Sequence, residues 1–168
     1  MILIKLIFIL NNTVVCTDWC FKCLIIIKEC ILNDLKNVKS ILFVCMGNIC
    51  RSPSAEAVFT QKANAQGLSL KIDSAGTVGA HAKEKPDHRA QKVGAERGYS
   101  FDGLKARKVK VEDFDNFDLI LAMDKDNIEE MKKIAPTHLQ HKISLFLEFA
   151  KNNEEVEVPD PYYGGVNG

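Results

Sequence analysis

No cysteine follows position 50, and neither sign of charge is in excess. The second absence is the simpler to use. Over 168 residues, 22 basic side chains balance 22 acidic ones. A nucleic-acid-binding surface shows a basic surplus, and an electrostatic membrane anchor shows a polybasic cluster. Neither nucleic acid nor membrane is therefore an expected partner. The first absence concerns six cysteines that resemble a disulfide set until they are located. Cys16, Cys20, Cys23 and Cys30 crowd the first 30 residues, while Cys45 and Cys50 share one short stretch. A secreted domain spreads its staples along its length, so these thiols imply a reducing, cytoplasmic setting.

A long apolar run is missing as well. Leu6 to Thr17 is uncharged, but it falls short of the roughly 18 residues a spanning helix needs. Asn11 and Asn12 interrupt it, Lys5 alone precedes it, and no small-residue cleavage site follows, unlike a secretory signal. Cys20 and Cys23 form a C-x-x-C. No second pair completes a zinc site, and no strand-then-helix pattern supports a redox motif. Residues 1–39 read as an apolar, cysteine-rich extension, and 40–168 as one domain long enough for a sizeable core. If translation starts at Val38 through an alternative start codon, the extension is not made; mass spectrometry of the native protein decides this.

From Ser40 the pattern alternates. Ile41–Val44 is a short apolar run ended by a turn signal, the mark of a buried strand. Pro53 suits the first turn of a helix, whose inner face and stem are carried by Ala55, Val58, Phe59, Lys62 and Ala63 and which Gly67 ends. Leu68–Asp73 reads as a second strand, "DSAGTVGA" as a loop, and Asp87–Arg97 as a helix closed by Gly98. Phe117–Met123 reads as a third strand. Asp124 caps a helix through Ile134 that Pro136 stops. His141–Ser144 is a short fourth strand, "LFLEF" a helical turn, and "VPDPYYGG" a rigid loop. Strands alternating with helices predict an α/β fold: four parallel strands with helices on both faces. Ligands of such sheets bind beyond the strands' carboxyl ends, which is where Cys45 falls.

The stretch "CMGNICRSP", residues 45–53, links that strand to a helix N-terminus. Unpaired N–H groups and the helix dipole there favour anions. Gly47 permits positive φ and Asn48 tolerates the left-handed region, so Met46, Gly47, Asn48, Ile49 and Cys50 can curl into a nest for a tetrahedral oxyanion. Arg51 would close the nest with a planar fork of donors. The same field favours the Cys45 thiolate, to which Ser52 would donate a hydrogen bond. A thiolate attacking phosphorus needs a proton donor for the leaving oxygen. Asp160, held between Pro159 and Pro161, fits that role, and Tyr162 and Tyr163 would wall a slot for an aromatic substrate.

"FVCMGNICRSPSAEAVF", "DSAGT" and "DPYYGG" together resemble the low-molecular-weight protein tyrosine phosphatases over residues 40–168. The resemblance implies a three-layer flavodoxin-like fold and hydrolysis of phosphotyrosine in protein substrates through a cysteinyl-phosphate, without metal or cofactor. Cys45 is then the nucleophile, Arg51 and the loop hold the phosphoryl group, and Asp160 serves as acid and then base. Asn48 braces the loop with Ser74 as its partner, and Cys50 matches a loop cysteine that pairs with the catalytic one under oxidant.

Three departures from the family pattern stand out. Ala80, followed by His81, replaces an aromatic that thickens the slot wall. Leu104 stands where members often have a histidine, which changes the expected support for Ser52. The family also continues past "DPYYGG" into a long amphipathic helix, whereas this chain stops at Gly168, so low stability is expected. Two rivals remain at this point. An arsenate reductase on the same scaffold needs relay cysteines downstream, and none follows Cys50. A non-catalytic phosphate-binding module would not need Asp160. His81, His88, His138 and His141 lack metal-ligand spacing and read as solvent-facing, and "KARKVK", residues 105–110, as a solvated basic edge.

Overall fold

The computed structural model describes residues 38–150 and 154–163; the expectations for Cys16, Cys20, Cys23, Cys30 and the chain beyond Tyr163 lie outside the described residues. Strands β1 (Ser40–Cys45), β2 (Lys71–Gly76), β3 (Leu119–Ala122) and β4 (Ile143–Leu145) form one parallel sheet in the order β2-β1-β3-β4. The helices are α1 (Arg51–Ala65), α2 (His88–Glu96), α3 (Val111–Asn116) and α4 (Lys125–Ile134).

Every residue of β1 is buried, because the sheet is covered on both sides. Successive strand side chains point to opposite faces. Ile41, Phe43 and Cys45 join a cluster with Val58 and Phe59 of α1 and with Phe146, while Leu42 and Val44 join Phe114 and Phe117 around α3 and Met131 of α4. The predicted three-layer α/β architecture is thus the one observed. The chain leaves β1 for β2 on one side and returns to β3 on the other, so the order reverses at β1. That reversal opens the crevice in which sheets of this kind bind ligands.

Several boundaries differ from the sequence reading. β2 begins at Lys71, and "DSAG" is strand rather than loop. Leu68 is buried at the end of α1 instead: its N–H donates to Ala63 O at 2.9 Å, after Gly67 turns at φ 66°. Its apolar character therefore belongs to a helix end and not to a ladder. Helix α1 starts two residues before Pro53. Helix α3 has no counterpart in the reading, since six residues are too few for a helical period; Phe114, fully buried, and Asp113, which accepts from Lys110 N–H at 2.8 Å, hold it. A 3₁₀ turn at Thr137–Lys142 was equally unmarked. Among the described residues no helix is long and apolar enough to cross a membrane.

Candidate active site

The alternation in β1 sends Cys45 toward the α1 face at the strand's carboxyl end, 3% exposed. The chain then turns through residues 46–50 into α1. Asn48 makes the turn, at φ 56°. Gly47, expected to use its freedom there, does not, and instead lies against His81, whose Cδ2 is 3.4 Å from where a Cβ on Gly47 would stand. Asn48 N–H points at Cys45 Sγ at 3.3 Å, and Ser52 Oγ lies 3.1 Å from the same sulfur. Donors aimed at sulfur stabilise negative charge on it.

The loop is fastened from outside. Thr77 and Val78 N–H groups donate to Cys45 and Met46 carbonyls at 2.9 Å, and Asp87 N–H to Ile49 O at 2.7 Å. Gly76 has to be glycine, because a Cβ there would stand 2.6 Å from Met46 O. Asn48 Nδ2 donates to Ser52 Oγ at 2.9 Å and Ser74 Oγ at 2.8 Å, while its Oδ1 accepts from Arg107 N–H at 2.8 Å. The expected Asn48–Ser74 hydrogen bond is thus present, and Asn48 also supports Ser52. The side chains of Asn48 and Ser52 lie behind the loop and do not line its cavity.

In front of the loop is a cavity of about 230 Å³, lined by Cys45, Met46, Gly47, Ile49, Cys50, Arg51, His81, Asp160 and Tyr162. Arg51, 5% exposed, donates through Nη1 to Asp124 Oδ2 at 2.7 Å and Val158 O at 3.0 Å, and through Nη2 to Asp160 Oδ2 at 2.8 Å. Burial opposes its charge, but Cys45, Asp124 and Asp160 outweigh that and hold the guanidinium above its usual range. Asp160 is steadied by Tyr162 N–H on Oδ1 at 3.0 Å. Burial, with Asp87, Cys45 and Asp160 nearby, pushes the Cys50 thiol up to about 12. At neutral pH that thiol stays protonated.

His81 flanks the cavity with 34% of its side chain still open to solvent, and its Nδ1 lies 2.8 Å from Glu84 Oε2. It stands in the wall that Ala80 was expected to thin. Tyr162 is half exposed, with the Arg89 guanidinium 5.7 Å from its ring centre. Tyr163 ends the 3₁₀ turn Pro161–Tyr163, and its side chain lies outside the described structure. The basic stretch is no solvated edge at Arg107: its guanidinium is clamped by Asp73 and Asp113, each at 2.9 Å. Sequence reasoning missed His81, Asp124 and Arg107 as site residues. Only "SAGTVGAHA" carried a hint, an imidazole in the loop after β2.

A family model described as low molecular weight phosphotyrosine protein phosphatase matches residues 40–168. The chain belongs to that family. A low molecular weight protein-tyrosine-phosphatase of Bacillus subtilis, YfkJ, is 44% identical over 128 residues, covering 75% of this chain and 82% of its own. A low molecular weight phosphotyrosine protein phosphatase of Schizosaccharomyces pombe is 43% identical over 136 residues, covering 79% and 86%. The crystal structure of YfkJ superposes with a TM-score of 0.74 at 42% identity, over 78% of this phosphatase and 84% of that chain. This phosphatase is accordingly a phosphoric monoester hydrolase acting on phosphotyrosine.

Proposed function

We propose that the phosphatase works by double displacement at Cys45. The thiolate attacks phosphorus, an S–P bond forms as the aryl O–P bond breaks, and Asp160 gives its proton to the leaving phenolate oxygen. Water then attacks the cysteinyl-phosphate with Asp160 as base, releasing inorganic phosphate and restoring the thiolate. Arg51 and the N–H groups of residues 46–50 hold the phosphoryl oxygens through both steps. The single observation that supports these roles is the convergence of Cys45, Arg51 and Asp160 on one cavity, with Arg51 Nη2 and Asp160 Oδ2 2.8 Å apart.

The substrate is a tyrosine-phosphorylated protein whose ring enters between His81 and Tyr162, both of which line the cavity. Residues 40–168 constitute the phosphatase domain, and the family match over the same residues supports that division. The setting is cytoplasmic, in keeping with chemistry that needs the free thiols Cys45 and Cys50 in a reducing compartment. Steady-state hydrolysis of p-nitrophenyl phosphate tests the mechanism. Cys45→Ser abolishes turnover, and Asp160→Ala lowers kcat by about 10²–10⁴-fold, the usual worth of a positioned acid. Residual turnover by Cys45→Ser at the wild-type rate rejects the mechanism.

A further inference from the structure

One titratable side chain beside the loop takes no part in the mechanism above. Glu56, on α1 one helical turn beyond Ser52, accepts at Oε2 from Ser74 Oγ at 2.6 Å. A carboxylate has no proton to give, so the Ser74 hydroxyl proton is committed to it. The Ser74 oxygen is left to accept, and it does so from Asn48 Nδ2 at 2.8 Å. The Asn48 amide cannot turn over, because its Oδ1 is held by Arg107 N–H at 2.8 Å. The other Nδ2 hydrogen goes to Ser52 Oγ at 2.9 Å. Ser52 therefore keeps its own proton for an acceptor: Cys45 Sγ at 3.1 Å, with Ala75 O at 3.3 Å as the competitor. Arg107 fixes the orientation of the Asn48 amide, and Glu56 fixes that of the Ser74 hydroxyl to which the amide donates.

We propose that Glu56 is a positioning residue: as the terminal acceptor of the chain Cys45–Ser52–Asn48–Ser74, it directs the hydrogen bond that Ser52 gives to the nucleophilic sulfur. The proposal rests on Cys45 being the nucleophile. It also makes the chain responsive to pH. Burial raises the Glu56 carboxyl to about 7; the Ser74 hydrogen bond opposes the rise, Asp73 on β2 adds to it, and Arg107, before α3, opposes it. Arg107 is itself shared with Asp73 and Asp113, so little of its charge is left for Glu56. A protonated carboxyl turned toward Ser74 becomes the donor, and the serine oxygen then accepts from both Glu56 and Asn48 while its own proton loses its acceptor.

The experiment compares Glu56→Gln, which keeps an acceptor oxygen, with Glu56→Leu, which does not. The readouts are p-nitrophenyl phosphate kinetics from pH 5.5 to 8.5, mass-spectrometric rates of Cys45 alkylation by iodoacetamide, and thermal melting. Glu56→Leu loses about tenfold in kcat, the worth of one hydrogen bond to a charged group, with KM nearly unchanged and Cys45 alkylated more slowly. Glu56→Gln recovers most of that loss and lacks the break that the wild-type profile shows near pH 7. If Glu56→Leu does not fold, Ser74→Ala cuts the chain one link nearer the sulfur and is expected to give the same loss. A folded Glu56→Leu or Ser74→Ala with wild-type kcat and alkylation rate overturns the proposal, as does a Glu56→Gln no faster than Glu56→Leu. A wild-type chain that hydrolyses nothing defeats the catalytic reading instead, and the alkylation rates still decide the role of Glu56.

Discussion

At Glu56 burial and hydrogen bonding pull in opposite directions, and burial wins, raising the carboxyl from 4.5 to about 7. The linkage consequence has a definite sign. Between those two pH values the folded chain holds a proton at Glu56 that the unfolded chain releases, so this group lowers stability as pH rises through the window. Above pH 7 the cost is fully present. Glu56→Gln removes it, so the variant is expected to be more stable than wild type by about 3 kcal/mol at pH 8. The gap should close as pH falls toward 4.5. Urea denaturation across that range checks it; a gap that widens at low pH contradicts the assignment. Arg51 shows the same contest with the other result, since the carboxylates around it keep it charged despite burial. Neither outcome follows from residue type; each depends on which charges the fold brings near.

Helix α4 reaches the site through the residue that caps it. Asp124 caps it, with Oδ1 accepting from Asn127 N–H at 2.7 Å, while Oδ2 accepts from Arg51. One carboxylate therefore starts a helix and orients the guanidinium expected to hold phosphate. The two duties separate by substitution. Asp124→Asn keeps the capping oxygen and loses the charge facing Arg51; Asp124→Ala loses both. Thermal melts are expected to rank Asp124→Ala below Asp124→Asn by about 1 kcal/mol, the worth of a cap. Both variants should raise KM for p-nitrophenyl phosphate, because Arg51 then has one fixed carboxylate partner instead of two. The capping role was legible, since an aspartate after an apolar run and before a helical pattern announces an N-cap. The second role was not, because Arg51 lies 73 residues away in sequence. Helix α3 was illegible for a different reason: its register comes from Phe114 and Phe117 filling the sheet's second face, not from any period of its own.

The molecule as a whole is held by two cores on one sheet, and β1 contributes to both. Phe43 is fully buried, with its ring 5.0 Å from that of Phe59 and 5.6 Å from that of Phe146. Those rings come from α1 and from the turn after β4, so Phe43 ties the start of the domain to its later part. Phe43→Ala is expected to cost about 3–5 kcal/mol and to weaken the whole domain together, seen as a single denaturation transition at lower urea. Loss confined to one region would mean the two cores are independent.

The sequence by itself determined the strand that ends at Cys45, the turn, the arginine six residues on and the proline-braced Asp160, because turn chemistry, capping and period-two burial are local properties of a chain. Only the tertiary structure decided that Arg107 fixes the Asn48 amide from 59 residues away, that Asp124 shares Arg51 with Asp160, that His81 stands in the cavity wall and that Glu56 completes the support of Ser74. Buried polar groups must find partners, and which partners they find depends on strand order and register, which bring together residues that no local pattern relates.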